Sequence, residues 1–385
     1  MNYRTHIATS LSEIGQAAWD ALVAAQAPAQ APAQVNPFLS FAFLHALHQS
    51  GSASADSGWQ PQFLTLYQGD TLAAAMPLYV KMHSYGEYVF DWAWADAYHR
   101  NGLDYYPKLL SAIPFTPVTG PRLLAIDAAA RAALIAVLCA TQKASQVSST
   151  HILYPPEEHV QQLLEAGFML RSGVQFHWLN QGYASFDAFL ETLEKKKRKN
   201  IRAERRKVHE AGVTLRRVRG IDATDADWRL FNRCYQHTYQ AHHSTPYLNL
   251  DFFQRIGRSM PGNILLVIAE RGGKAIAASM VIHNEHTLFG RYWGELEHVP
   301  CLHFETAYYQ PLEFCIEQNI AVFEGGAQGE HKMARGFLPT KTWSAHWLAH
   351  PAFADAIERF LERENGGIEA YIDELGERSP FKGAP

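Results

Sequence analysis

The sequence predicts a mixed α/β fold made of two similar lobes, each with a mostly antiparallel sheet flanked by helices. Two observations support this prediction: a hairpin pattern occurs once in each half of the chain, and helical patterns surround both copies. The chain has 385 residues, of which 47% are hydrophobic and 12% aromatic. This composition is sufficient for packed cores and argues against disorder.

The repeated pattern consists of an apolar strand, a turn that contains glycine and a second strand with small residues that ends in methionine. It covers Phe63–Val80 and Leu265–His283, and Leu72–Met76 in the first copy corresponds to Ile276–Met280 in the second. This similarity predicts a tandem duplication. An aromatic stretch follows each copy and is predicted as a further strand, over Tyr88–Ala95 and Leu288–Glu295.

Apolar residues at three- and four-residue spacing predict helices around these strands. The predicted helices are Phe38–His48, Ala128–Lys143, Glu157–Ala166, Trp228–Thr238, Leu250–Ser259, His303–Gln318 and Pro351–Arg363. Two further strands are predicted at Phe168–Leu179 and Ala321–Glu324. We expect four regions: an N-terminal segment (1–35) with a flexible Ala/Pro/Gln loop, a first lobe (36–180), a second lobe (181–350) and a C-terminal helical extension (351–385).

A run of positive charge lies at Lys195–Lys207, where nine of thirteen residues are Lys or Arg although the net charge of the chain is −4. Apolar spacing predicts a helix over 186–211, with Ser185 in position to cap it. Such a helix is suited to binding a phosphate-bearing donor. The residues predicted to contact the donor are Lys196, Arg198, Arg202 and Arg205. The alternative is a solvated helix face whose charges form salt bridges.

A second candidate site is the segment Glu324–Phe337, where glycines allow the backbone to approach a ligand and several side chains can transfer protons or bind charge. The predicted catalytic residues are Gln328, Glu330, His331 and Lys332. Arg335 is predicted to bind a phosphate or carboxylate of the donor. The alternative is a tight turn with solvated polar residues.

A third candidate site combines aromatic and charged residues between Asp91 and Tyr106, a mixture typical of a pocket for a polar organic acceptor. The predicted acceptor-pocket residues are Asp91, Trp94, Asp96, His99, Arg100, Tyr105 and Tyr106. The alternative is a packed loop whose polar groups satisfy one another.

Other classes of site find less support. The four cysteines lack metal-finger spacing and the histidines near His237 lack a His-Glu-x-x-His pattern, so we expect no metal and no tightly bound cofactor. The chain starts without a signal-peptide pattern and contains no apolar run of about 18 residues. We therefore expect a cytoplasmic protein with no integral membrane contact.

The order of these elements resembles a known family. The segments "KKKRKNIRAERRKVHEAGV", "AIAASMVIH" and "FEGGAQGEHKMARGFLPT" follow one another as in the Fem-type aminoacyltransferases of peptidoglycan bridges. The chain resembles more closely a bacterial branch described as predicted N-acyltransferases, over about residues 36–375. The resemblance implies two GNAT-like lobes in tandem. A lysine of the Fem pattern falls at Ala334 here, with Lys332 and Arg335 on either side, so its role passes to one of these two.

The resemblance implies an N-acyltransferase that moves an acyl or aminoacyl group from an activated carrier to a small amine-bearing acceptor. GNAT enzymes that use acetyl-CoA carry a glycine-rich turn for its pyrophosphate, whereas the corresponding segment here is "GELEHVPCLHFETAYY". We therefore favour aminoacyl-tRNA as the donor, held by a local basic patch. An acyl-CoA-dependent enzyme is one alternative, and a non-catalytic protein that recognises a cell-wall precursor is the other.

Overall fold

The computed structural model describes residues 3–28, 34–327 and 329–383. Residues 29–33 of the predicted Ala/Pro/Gln loop and the predicted catalytic residue Gln328 lie outside the described residues. The chain forms two compact units. The first unit runs to Val174 and includes Lys341–Ile372, and the second comprises Gln175–Thr340 and the chain from Asp373 onward.

Strands and helices alternate irregularly in the first half of the chain. Its strands are β1 (Arg4–Ala8), β2 (Trp59–Pro61), β3 (Phe63–Gln68), β4 (Thr71–Met76), β5 (Tyr79–Lys81), β6 (Lys108–Ser111), β7 (Leu124–Ala125), β8 (Ser149–Leu153) and β9 (Met169–Leu179). Its helices are α1 (Leu11–Ile14), α2 (Gln16–Ala24), α3 (Phe41–Gln49), α4 (Trp92–Arg100), α5 (Ala128–Ala144) and α6 (Glu157–Glu165), with a 3-10 helix at Pro37–Leu39.

The second half begins with two helices and ends with a long one. Its helices are α7 (Phe186–Thr192), α8 (Lys195–Glu210), α9 (Asp225–Ala241), α10 (Leu250–Ser259), α11 (Leu302–Phe304), α12 (Gln310–Glu317) and α13 (Pro351–Glu377). A π-helix (Glu305–Tyr309) joins α11 to α12, and 3-10 helices lie at Pro261–Asn263 and Glu330–Arg335. Its strands are β10 (Val213–Arg219), β11 (Ile264–Arg271), β12 (Lys274–His283), β13 (Thr287–Glu295), β14 (Val322–Glu324) and β15 (Leu338–Leu348).

The first unit contains one sheet in the order β1-β3-β4-β7 and a second run in the order β8-β6-β5-β2, with the end of β15 antiparallel to β8. Strands β6 and β8 are parallel. Helix α5 packs on β3 and β4, and Leu134 and Leu138 of α5 join Leu64 and Leu66 of β3 in one buried cluster. Burial of each such side chain contributes about 1.5–3 kcal/mol, so this cluster is a major source of the unit's stability.

The second unit orders its strands β10-β11-β12-β13-β14-β9, all antiparallel to their neighbours except the parallel pair β13 and β14. Helix α9 packs on β12 and β13. Thr224 and Asp227 form a capping box that satisfies backbone N–H groups at the start of α9. Val208 of α8 belongs to a buried cluster with Val213, Ala277 and Leu302, so α8 packs by its apolar edge.

The predicted repeat is also a structural repeat. The hairpins β3–β4 and β11–β12 are both antiparallel, and each places a leucine opposite the methionine of its second strand. Each hairpin also has a register shift near its turn, between Leu66/Tyr67 and Ala269/Glu270. The turn of the second hairpin is Gly272-Gly273, with φ values of 57° and 75° that glycine adopts without steric cost.

The strand predicted at Tyr88–Ala95 is wrong, because residues 92–100 form the helix α4. Trp94 and Tyr98, four positions apart, are buried in a cluster with Leu348 and Leu361, while Trp92 is exposed. The alternation of Trp92 and Trp94 suggested a strand, but the packing selects the helical face that contains Trp94 and Tyr98. The corresponding stretch of the second copy does form a strand, β13.

The single helix predicted over 186–211 is two helices, α7 and α8. Ser185 caps α7 as predicted, accepting a hydrogen bond from the N–H of Ala188. Leu193 then takes an extended conformation, is fully buried and pairs with Phe381, while the N–H of Glu194 donates to the carbonyl of Pro380. The C-terminal residues therefore interrupt the helix, a contact between distant parts of the chain that helical spacing does not encode.

Two other predicted helices differ in detail. The helix predicted at His303–Gln318 includes a π-helical turn just before Pro311, which lacks an N–H for the usual helical hydrogen bond. The helix predicted to end at Arg363 continues to Glu377 through two glycines. Arg171 and Ser172 bind Glu364 and Asn365 just before those glycines, which stabilises the helix there.

Gly294 provides a test of the packing between α9 and β13. A Cβ atom at this position would overlap the backbone carbonyl of Cys234 and lie 2.6 Å from Oγ1 of Thr238. We predict that Gly294→Ala lowers the free energy of unfolding by about 1–3 kcal/mol, because α9 must move to relieve the overlap. Gly262→Ala is the control, since its Cβ would have no atom within 4 Å. Equal melting temperatures for the two variants would contradict this packing.

Candidate functional site

In the second unit the parallel strands β13 and β14 pair over only three positions, ending at Phe289 opposite Glu324. Strand β13 then has a register shift that leaves Arg291 as an extra residue between Gly290 and Tyr292, and it continues beside β12 to Glu295. The chain leaves β14 at Gly325-Gly326, and the φ of Gly326 is 79°. The two strands therefore separate after Glu324, and the segment Glu324–Phe337 begins at that separation.

Among the predicted catalytic residues that the structure describes, Lys332 is the most buried, at 2% exposure. Its Nζ donates a hydrogen bond to the carbonyl of Gly326 at 3.0 Å, and its Cδ lies 3.0 Å from where a Cβ of Gly325 would be. Burial lowers the pKa of Lys332 to about 8. A lysine of this kind exchanges its proton near neutral pH, which an exposed lysine does not.

His331 and Glu330 occupy different surroundings. The Nε2 atom of His331 lies 3.4 Å from the hydroxyl of Tyr308, and its pKa is lowered by burial and by the nearby Arg335 and Lys332. Glu330 is exposed, and its carboxylate lies 3.8 Å from the guanidinium of Arg378. All three residues therefore lie on one short 3-10 helix, where Glu330 and His331 are exposed and Lys332 is buried.

Arg335 is an anchor within the protein. Its guanidinium donates to both carboxylate oxygens of Glu204 at 2.9–3.0 Å, to the hydroxyl of Tyr309 at 3.0 Å and to the carbonyl of His331 at 2.8 Å. It also lies 3.5 Å from the ring centroid of Phe304. With 5% exposure and these partners, Arg335 joins the 3-10 helix to α8 and has little capacity left for a ligand.

The arginines of α8 also bind carboxylates of the protein. Arg205 contacts Glu305 at 3.0 Å and Glu313 at 2.6 Å. Arg198 lies 3.2 Å from Glu191, and Arg202 contacts the same glutamate at 3.3 Å. Of the five residues predicted to contact the donor, these three arginines and Arg335 are thus ion-paired, and Lys196 is exposed.

The lysines of α8 behave differently from its arginines. They form no ion pair with any described residue, and most of them face solvent. They are Lys195, Lys196, Lys197, Lys199 and Lys207. The arginines of α8 are therefore ion-paired, Arg198, Arg202 and Arg205 with carboxylates of other elements and Arg206 with Glu210 of the same helix, whereas the lysines are not.

The sequence analysis predicts no role for Glu324 beyond its place at the start of the segment Glu324–Phe337. In the structure its carboxylate has distinctive surroundings. It lies opposite His177 in the antiparallel pair β14–β9, so both side chains project from the same face of the sheet. Its Oε2 atom is shielded from solvent and has no hydrogen-bond partner among the described residues. Burial raises the pKa of Glu324 from 4.5 to about 8, partly offset by Arg291.

The predicted acceptor-pocket residues of the first unit separate into two groups. Asp91 accepts hydrogen bonds from the hydroxyl of Tyr105 at 2.7 Å and from Nζ of Lys108 at 2.5 Å. Trp94 packs edge-on against His346, and Tyr106 is hydrogen-bonded to Ser84 at 2.8 Å. The remaining three are exposed on α4, where Asp96 and Arg100 form an ion pair and His99 lies beside them.

The buried part of this cluster contains residues that the sequence did not single out. Lys108 also donates to Glu87 at 2.8 Å, and Nδ1 of His151 lies 2.7 Å from Nδ1 of His346. Burial raises the pKa of Glu87 to about 7. A lysine or histidine inside an otherwise apolar strand is a sequence signal that could have indicated these residues. The sequence does not show which strands are neighbours, so it could not show that the residues meet. The cluster is closed to solvent, and an acceptor-binding role for it stays a prediction.

Two further properties of the described residues bear on function. Within residues 3–28, 34–327 and 329–383, no three His, Cys, Asp or Glu side chains are placed to share a metal ion. None of the helices in the described chain combines the length and apolar character needed to span a bilayer.

Comparison with known proteins identifies one family and several solved structures with a similar fold. The FemAB-like family, described as peptidoglycan biosynthesis/recognition, matches residues 10–383. The crystal structure of FemX has a TM-score of 0.55 at 11% identity and covers 93% of this chain and 100% of its own. The C-terminal domain of a putative lysylphosphatidylglycerol synthetase from Agrobacterium fabrum has a TM-score of 0.53 at 10% identity, covering 83% and 96%. No curated protein matches significantly. At these identities the structural likeness establishes the fold alone, and the predicted mixed α/β fold, with mostly antiparallel sheets flanked by helices, is confirmed.

Glu324 should leave a signature in the pH dependence of stability. A carboxyl whose pKa is raised from 4.5 to about 8 in the folded state stabilises the protein below pH 4.5, and this contribution is lost as the pH rises to about 8. We predict that Glu324→Gln removes part of the decline in the free energy of unfolding between pH 5 and 8, a difference on the order of 1–3 kcal/mol. The decline is followed through the melting temperature at each pH. Glu285→Gln, at an exposed carboxylate of the same unit, is the control. Parallel pH profiles for wild type and Glu324→Gln would contradict the shifted pKa.

Proposed function

The chain belongs to the FemAB-like family, and on that premise we propose that it transfers an aminoacyl group from an aminoacyl-tRNA to the amine of a small acceptor in the cytoplasm. Membership confirms the resemblance found in the sequence and makes the protein an acyl- or aminoacyltransferase in general terms. The donor and the acceptor are the proposal. The family is described as one of peptidoglycan biosynthesis/recognition, so amine-bearing peptidoglycan precursors are the first acceptors to test.

The observation that carries the choice of donor is the lysine face of α8, defined by Lys195, Lys196, Lys197, Lys199 and Lys207. The arginines of this helix already bind Glu191, Glu305 and Glu313, so the lysines supply the charge that remains for a ligand. Positive charges spaced along a helix suit the phosphates of a polynucleotide. With a net charge of −4 for the whole chain, binding of RNA depends on this local surface.

The segment after β13 supports the same choice. Helix α11 begins after Cys301, which has a φ of 69°, and the next turn contributes Glu305, whose carboxylate is buried against Arg205. The segment before this helix start contains Glu295 and Glu297 and lacks the glycine-rich turn that binds pyrophosphate in acetyl-CoA enzymes. Acidic residues in place of such a turn disfavour coenzyme A as the donor.

We place the transfer itself where β13 and β14 separate. Lys332 lies beside this separation and has a pKa lowered to about 8. Arg335 is bound to Glu204. We therefore assign the role of the Fem lysine to Lys332, where it can stabilise negative charge on the donor's carbonyl oxygen.

The donor can be identified directly. The purified protein is incubated with a pool of tRNA charged with labelled amino acids, with acetyl-CoA, and with peptidoglycan-precursor amines as acceptors. We predict ribonuclease-sensitive transfer of label that depends on the acceptor. Release of coenzyme A that requires the acceptor, without transfer of label, would instead identify an acyl-CoA enzyme. Acceptor binding without turnover of either donor would identify a recognition protein.

The lysine face is tested by charge removal. We predict that neutralising three of its lysines weakens tRNA binding and reduces the slope of log K against log salt by about 0.7–0.9 for each phosphate that the protein no longer neutralises. The variant is Lys196→Gln, Lys199→Gln and Lys207→Gln together. The control removes three exposed cations of the same unit that lie outside α8: Arg233→Gln, Arg258→Gln and Lys274→Gln. If both triple variants lose affinity equally, binding reflects overall charge, and the assignment to α8 is wrong.

A further inference from the structure

We propose that Glu324 is the general base of the transfer, an inference that rests on the proposed function. Its carboxylate takes a proton from the acceptor amine while the amine nitrogen forms a bond to the carbonyl carbon of the donor. The bond between that carbon and the ester oxygen then breaks. The proton passes from Glu324 to the leaving oxygen, so the carboxylate is regenerated and no other reactant is consumed.

The position of Glu324 is the first argument. It is the last residue of β14, at the point where β13 and β14 stop pairing and the backbone turns at Gly325 and Gly326. The antiparallel neighbour β9 occupies the other side of β14. Glu324 is therefore held by strands on both sides, at the point where the pairing of β13 with β14 ends.

The state of its carboxylate is the second argument. Oε2 of Glu324 is shielded from solvent and lacks a hydrogen-bond partner among the described residues. A buried acceptor left unpaired costs about 1–3 kcal/mol, and such atoms in folded proteins call for an explanation. An acceptor amine bound against Oε2 of Glu324 would supply the missing hydrogen-bond donor.

The other acid–base groups of the segment are engaged elsewhere. Lys332 donates to the carbonyl of Gly326, and Glu330 faces solvent beside Arg378. His331 lies against Tyr308. On the neighbouring strand, His177 contacts Gln175 at 3.4 Å, and burial lowers the pKa of His177 to about 4, which makes it a weak base.

The charged groups around Glu324 determine when it is ionised. Arg291 of β13 is the charged group that acts on Glu324, and His177 of β9 lies opposite Glu324 in the sheet. Arg291 favours the carboxylate, but burial outweighs it, and the pKa of about 8 lies in the range where a base both accepts a proton from an amine and is ionised at moderate pH.

The test measures transfer rates of the full-length protein between pH 6 and 9 with charged tRNA and an amine acceptor. We expect the wild-type rate to rise with pH to a plateau above about pH 8. We expect Glu324→Gln to lower the rate by about 10²-fold or more and to abolish this rise. Glu285→Gln, an exposed carboxylate on the turn between β12 and β13, should retain the wild-type rate and profile.

A second variant keeps the proposal testable if Glu324→Gln folds poorly. Arg291→Gln removes the cation that favours the ionised carboxylate, so the rise in rate should move to higher pH. A rise that stays in place in Arg291→Gln, or that survives in Glu324→Gln, would overturn the role of Glu324 while leaving the proposed transfer intact. A wild-type protein that transfers from no donor would overturn the proposed function, and the role of Glu324 with it.

Discussion

The ion pair between Arg335 and Glu204 is the interaction on which the candidate site depends. Both carboxylate oxygens of Glu204 accept hydrogen bonds from Arg335, which is buried and also binds Tyr309 and the ring face of Phe304. Loss of one partner from such a buried pair costs about 3–5 kcal/mol, because the other charge stays buried without compensation. The pair joins three elements: α8, the π-helix and the 3-10 helix that contains His331 and Lys332. These contacts fix the 3-10 helix in place relative to α8.

The chemistry of arginine and lysine explains how one helix can be both anchor and binding surface. The planar guanidinium forms two directed hydrogen bonds with a carboxylate, which suits the half-buried contacts of Arg205 with Glu305 and Glu313. The ammonium group of lysine keeps its hydration more strongly and remains at the surface. Helix α8 therefore uses arginine for contacts within the second unit and leaves most of its lysines at the surface. A run that looks uniform in the sequence divides into two kinds of side chain in the structure.

The two units differ in how their buried charges are compensated by neighbouring groups. In the first unit Lys108 lies between Glu87 and Asp91 and is completely buried, so the cluster compensates its own charge. In the second unit the carboxylate of Glu324 is only partly compensated, and the pKa values of Glu324 and Lys332 both move to about 8. Perturbed pKa values concentrate at functional sites because catalysis needs groups that exchange protons near neutral pH. Burial also raises the pKa of Glu87 in the first unit to about 7, so shifted pKa values alone do not distinguish the two units. In our proposal the second unit carries the chemistry because Glu324 and Lys332 belong to the segment that resembles the Fem pattern.

The sequence by itself determined the features that depend on neighbours along the chain. Two apolar runs joined by a Gly-Gly turn specify the hairpin β11–β12, Ser185 begins α7, and helical spacing predicts Leu250–Ser259 at both ends. Only the tertiary structure decided features that depend on distant residues. Glu204 and Arg335 are 131 positions apart, Phe381 interrupts the helix at Leu193, and the burial of Trp94 and Tyr98 converts a predicted strand into a helix. Glu324 is one carboxylate among many in the sequence, and its distinct state arises because folding shields its Oε2 atom and places it where two strands part. Local patterns encode local hydrogen bonds, whereas charge compensation and burial are set by which distant side chains meet.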